Sequence, residues 1–167
     1  MSPVRNIVSN GMRVLAFDPG YERLGVAVLE KEKGKEALLY SACMRTSAKL
    51  EFSERLKKLG EETESLIKKW HPEAIALDEI FFEKNAKTAI QVAEVRGALI
   101  YIAAARGIKI YNYTPSEVKI AVTGYGGSDK RAIAAMVPKL LRIPDGKKFD
   151  DELDAIAVGI TCLASIR

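Results

Sequence analysis

Three short apolar runs follow one another near the start of this chain, and the links between them are too brief to hold anything but turns. Met12–Phe17 (MRVLAF) runs into Asp-Pro-Gly, Leu24–Leu29 (LGVAVL) follows, and Ala37–Met44 comes after the charged segment Lys31–Glu36 (KEKGKE). Runs of this length bounded by turn residues read as strands, and two short links in succession predict an antiparallel meander. The hydrophobic period then changes. Phe52, Leu56, Leu59, Leu66 and Trp70 recur at helical spacing with charges between them, which predicts an amphipathic helix over Glu51–Trp70, ended by His71-Pro72. Glu73–Ile80 reads as a fourth strand, Thr88–Ala105 as a long helix and Ile108–Tyr113 as a fifth strand. Thr114-Pro115-Ser116-Glu117 is a helix-start signal, and Gly124–Gly127 (GYGG) reads as a flexible break. Ser128–Leu141 and Asp150–Ile166 read as helices around the loop Ile143–Phe149. The order β-β-β-α-β-α-β-α-α-α predicts an α/β sandwich: a five-stranded mixed sheet, three strands antiparallel and then two parallel, flanked by helices.

The chain has 167 residues, 48% apolar and 29% charged, which suits one domain over residues 12–167. Met1–Gly11 is polar, precedes a second Met, and is expected to be a disordered extension. The net charge of +4 permits a polyanionic partner. Much of it gathers between Val118 and Lys148, where Lys119, Lys130, Arg131, Lys139, Arg142, Lys147 and Lys148 face only Asp129 and Asp145. Cys43 and Cys162 stand in apolar surroundings and no metal spacing, so they read as free core thiols of a reducing, cytoplasmic protein. His71 is the lone histidine, which argues against zinc. No apolar run is expected to reach membrane length, so no membrane partner is expected. The helix Thr88–Ala105 is apolar nearly all round, so either it is a central core helix or a second subunit covers it.

Carboxylates gather in three separated places. Asp18 ends the first strand, Asp78 and Glu79 stand at the end of the fourth, and Asp150-Asp151-Glu152-Leu153-Asp154 opens the last helix. Asp is a poor strand residue, and a carboxylate among buried neighbours needs a partner. Acids in a first helical turn are favoured by the helix dipole, which accounts for Asp150 to Glu152 but not for Asp154, where the apolar stretch begins. Asp154 shares a helix face with Asp151 and equally with Asp150, and spacing does not choose between them. Acids converging from three segments repel one another, and divalent cations relieve that repulsion. Two Mg²⁺ ions ~3.5–4 Å apart suit phosphodiester hydrolysis.

AFDPG, ALDEIFF and DELDAIA, in that order, resemble the RuvC family of Holliday-junction resolvases, of the RNase H-like fold. The resemblance runs from Met12 to the C-terminus. It implies that Asp18, Asp78, Asp151 and Asp154 are the metal-binding catalytic acids, with two Mg²⁺ per site and Mn²⁺ as a substitute. The family has Glu where this chain has Asp78, and Glu79 is the alternative ligand. It further implies a catalytic, DNA-contacting lysine at Lys119, a second DNA lysine at Lys130 beside Arg131, a stacking ring at Phe81, and phosphate contacts from Lys84 and Asn85; Phe82, the neighbouring ring, is read as core. The implied activity is symmetric cleavage of four-way DNA junctions by a homodimer, with Thr88–Ala105 as part of the dimer contact and a branch-migration motor complex as a further partner. Two other readings compete. One is a catalytically silent junction-binding protein. The other is an actin-like or sugar-kinase-like ATPase, disfavoured because Asp18-Pro19-Gly20-Tyr21-Glu22 lacks the hydroxyl residue of a phosphate loop.

Overall fold

The computed structural model describes residues 11–20, 22–80, 86–143 and 148–166. Its strands are β1 (Met12–Asp18), β2 (Arg23–Glu32), β3 (Lys35–Arg45), β4 (Ala74–Asp78) and β5 (Lys109–Tyr113). Its helices are α1 (Phe52–Trp70), α2 (Ala86–Ala105), α3 (Pro115–Thr123), α4 (Lys130–Leu140) and α5 (Asp150–Ser165). The sheet order is β3-β2-β1-β4-β5. β1 pairs antiparallel with β2 and parallel with β4, β2 pairs antiparallel with β3, and β4 pairs parallel with β5. The expected mixed sheet is therefore present, and so is the expected order of elements. The expected extension over residues 1–11 lies, Gly11 apart, outside the described residues.

Alternation along the central strands sorts the core into two layers. Leu15, Phe17, Val26, Val28, Ile75 and Leu77 point to α1 and α2, where they meet Leu59, Leu66, Val95 and Leu99. Val14, Ala16, Ala27, Leu29, Ala74 and Ala76 point to the other face, against α5 with α3 and α4 behind it. The second face is built largely from alanine, so α5 lies close against the sheet, and every residue from Ala155 to Leu163 is buried. Two glycines permit that approach. A Cβ on Gly159 would stand 2.3 Å from a Leu29 methyl, and one on Gly25 would stand 1.8 Å from the Asp151 carbonyl oxygen.

Several boundaries differ from the sequence reading. The charged segment Lys31–Glu36 is mostly strand, and the reversal occupies only Lys33 and Gly34, both with positive φ (50° and 79°). A two-residue turn of that kind matches the strand twist, so the ladder carries its charges to the hairpin tip. GYGG is not a loose break. Gly124 caps α3 in the left-handed region, and the Thr123 hydroxyl donates to the Lys119 carbonyl and pairs with the Ser128 hydroxyl at 2.6 Å. Asp129 caps α4 by accepting from the Ala132 amide, so that helix starts at Lys130. One apolar run does reach membrane length, since α2 is by length and composition long and apolar enough to cross a bilayer. In this fold Val95, Leu99, Ile102 and Ala103 of α2 are buried against the sheet side, while Ile90 and Tyr101 are exposed.

Candidate active site

The site forms where the α5 face of the sheet meets the start of α5. Asp18 continues the register of Val14 and Ala16, and Asp78 that of Ala74 and Ala76, so both carboxylates end strands on the α5 side. Glu79 comes one residue later and is exposed; its amide donates to the Tyr113 carbonyl at 2.9 Å. Gly25, opposite Asp18 in the ladder, leaves room for the Asp151 backbone, which brings the first turn of α5 over the strand end. Arg96 of α2 reaches around the sheet edge. Its Nε donates to the Asp78 carbonyl at 3.3 Å and its Nη2 to the Asn112 side chain, which ties the ends of β4 and β5 together.

The electrostatics report the convergence. Asp18 is pushed up to about 8, first by burial and then by Asp154, Asp78 and Asp151, with Lys130 opposing. Asp78 is pushed up to about 6 by burial and by Asp154, against the Glu79 amide. Burial also raises Asp154, while Lys130 holds it down. Two of the four acids are engaged by the chain's own cations. Lys130 Nζ lies 3.1 Å from Asp154 Oδ2, and Arg23 Nη1 lies 3.6 Å from Asp151 Oδ2. Among the described residues no three acidic, His or Cys side chains are drawn up in chelating geometry. The buried Asp78 Oδ1, in contrast, has no hydrogen-bond partner. A buried carboxylate oxygen without a donor is costly, and a hard cation is the ligand its chemistry suits.

A family model for crossover junction endodeoxyribonuclease RuvC matches residues 14–162. The chain belongs to the RuvC family. A RuvC from Roseiflexus sp. is 43% identical over 148 residues, covering 89% of this chain and 88% of that protein. One from Caldanaerobacter subterraneus is 42% identical over 149 residues, covering 89% and 90%. A T. thermophilus RuvC, solved in complex with Holliday junction substrate, superposes with a TM-score of 0.83 at 30% identity, covering 90% of this chain and 92% of that one. The yeast mitochondrial resolvase Ydc2 shares the RNase H-like fold with a TM-score of 0.69 at 11% identity.

Within this RuvC-family site, Lys130 and Arg131 open α4 and border a small pocket with Asp150, Leu153 and Asp154. Lys119 is half-buried on α3, and among the described residues it forms no ion pair with the four acids. Phe81, Phe82, Lys84 and Asn85 lie outside the described residues, as does Lys147. Three features escaped the sequence reading. Cys43 is not a core thiol: it is half-buried with Sγ 3.9 Å from Asp151 Oδ2, while Cys162 is fully buried. Glu152 is more than a dipole acid; it is buried, accepting from Ser41 Oγ at 2.6 Å and from Lys148 Nζ at 2.8 Å. That contact turns Lys148 inward, away from the basic surface to which its sequence position assigned it. Arg23 and Arg45, each one residue outside the strands as read from the sequence, belong to β2 and β3 and line one cleft. Only the pairing of β2 with β3, a long-range event, puts them there.

Proposed function

We propose that this chain is a divalent-cation-dependent endonuclease that resolves four-way DNA junctions by two symmetric phosphodiester hydrolyses in recombination and repair. The observation that carries the reading is that Asp18 feels the charges of Asp154, Asp78 and Asp151, contributed by three segments, while Asp78, itself beside Asp154, keeps a buried carboxylate oxygen without a partner. Its RuvC membership, and the T. thermophilus relative solved with Holliday junction substrate, supply the substrate class. The four acids would hold the ions, two Mg²⁺ per site, with Mn²⁺ able to substitute because both accept hard oxygen ligands. Bound there, such ions supply the positive charge that activates water and steadies the leaving oxygen.

The remaining work belongs to the chain itself. Lys130 carries an exposed ammonium, paired with Asp154, that exchanges this partner for a phosphate oxygen and offsets charge as it gathers in the transition state. Lys119, on the neighbouring α3, supports a flanking phosphate. Water adds to phosphorus as the bond to the 3′ oxygen breaks, leaving a 5′-phosphate and a 3′-hydroxyl. A homodimer relates two such sites by a two-fold axis that matches the two-fold symmetry of the junction. Its contact is the outer side of α2, where Ala93, Gly97 and Tyr101 recur every four residues and are exposed. The protein works in the reducing cytoplasm, and a branch-migration motor is a fitting further partner.

The test is a labelled four-way junction incubated with the full chain, with and without Mg²⁺ or Mn²⁺. Paired nicks at symmetric positions, only with the cation, are expected. Asp18→Asn is expected to bind the junction without nicking it. Cation-independent nicking, or full activity in that variant, would refute the reading, and binding without any cutting by the wild type would establish the silent alternative instead.

A further inference from the structure

Arg23 and Arg45 stand directly opposite one another across the β2–β3 ladder. Like charges in that position repel and weaken a sheet, so the pair costs folding energy unless an anion settles it. Asp151 offsets part of that repulsion through Arg23, but the Arg23 side chain remains 55% exposed, and that carboxylate belongs to the acid cluster. Both arginines line one cleft with Glu22 and Thr46. Arg45 also lays its guanidinium over the ring of Phe149, 4.3 Å from the centroid. Phe149 is 47% exposed at the N-cap of α5, two residues before Asp151. The core does not explain an aromatic there. It is a flat platform, stiffened by a stacked guanidinium and carried by the same helix that bears two of the acids.

We propose that Arg23, Arg45 and Phe149 form a DNA-strand-holding subsite on the β3 side of the acid cluster, the arginines taking backbone phosphates and Phe149 stacking a base of the strand to be cut. This rests on the nuclease reading above and adds a second group of cations at the acids, with Arg23 at Asp151 where Lys130 stands at Asp154. Guanidinium forks match phosphate oxygens, and an exposed ring accepts any base. A phosphate arriving on Arg23 competes for its guanidinium, which releases Asp151 to the cluster as the strand docks.

The experiment measures binding of the full chain to a labelled four-way junction in EDTA, from low to high KCl, and nicking in Mg²⁺. Arg23→Gln/Arg45→Gln is expected to lower the slope of log affinity against log salt by about 0.9 for each phosphate that is no longer neutralised. Phe149→Ala is expected to weaken binding roughly tenfold with the slope unchanged, and Phe149→Trp to restore it. Melting curves verify folding, and if the double variant is unstable, Arg23→Gln alone carries the slope measurement. Wild-type slope and affinity in all variants, with a wild type that nicks normally, would overturn the subsite and leave the nuclease reading standing. A wild type that neither binds nor nicks the junction would overturn both.

Discussion

Asp18 concentrates the conflict on which this molecule is built. Burial and three neighbouring acids push its carboxyl up to about 8, against 3.8 for the ordinary group. The folded state therefore holds the Asp18 proton more tightly than the unfolded chain. Its contribution is most favourable below about pH 4 and is lost as pH rises through 8. Asp18→Asn is expected to melt higher than wild type at pH 8 without divalent cation, by ~2–4 °C for each kcal/mol of repulsion relieved, with the gap closing toward pH 4. With the four acids holding the cation as proposed, added Mg²⁺ is expected to raise the wild-type midpoint and leave the variant unmoved. Scanning calorimetry at two pH values, with and without cation, measures both effects. Glu152 behaves in the opposite sense. Burial alone would raise it, yet Lys148 and Ser41 hold it below the usual carboxylate range, so its contribution is present at neutral pH and lost as pH falls through the folded value. Glu152→Ala strands a largely buried ammonium and is expected to cost about 3 kcal/mol in urea unfolding at pH 7.

The closeness of α5 to the sheet depends on two glycines with different neighbours. At Gly159 the obstacle is the tip of a Leu29 side chain, which can rotate, so Gly159→Ala is expected to cost about 1–3 kcal/mol of stability and little activity. At Gly25 the obstacle is the Asp151 backbone itself, which cannot yield without moving the first turn of α5. Gly25→Ala is expected to cut junction nicking by at least tenfold, because a shift near 1 Å in a catalytic group is enough for that. Parallel nicking rates and melting curves for the two variants separate the cases. Legibility divides along similar lines. The element order and the two-layer sandwich were readable because the hydrophobic period is local, two along strands and 3.6 along helices. Asp18, Asp78 and Asp154 stood out because Asp at a strand end or within an apolar helix contradicts local preference, whereas Asp151 was singled out only by the resemblance to the RuvC family. Arg23, Arg45 and Gly25 were not, since each is ordinary in its own segment and acquires meaning only from the residue opposite it.

The whole particle is expected to be a symmetric pair. The outer side of α2 carries Ile90 and Tyr101, the latter 74% exposed, around Gly97, where a Cβ would meet nothing within 4 Å. Gly97→Arg is therefore expected to leave the monomer folded and to block close helix packing. Sedimentation should then show a monomer, and the junction assay single rather than paired nicks; a dimer at wild-type affinity would count against this contact. The amino-acid order was sufficient for the parts list: five strands, five helices, their sequence, and an excess of carboxylate at three points. It was not sufficient for the choice between Asp78 and Glu79 as the residue facing Asp18, for the role of Lys148 as an internal counter-ion, or for the arginine pair at the rim. Periodicity is a property of neighbours along the chain, whereas register between strands and the height of α5 above them come from many distant contacts formed together, and those set which charges meet.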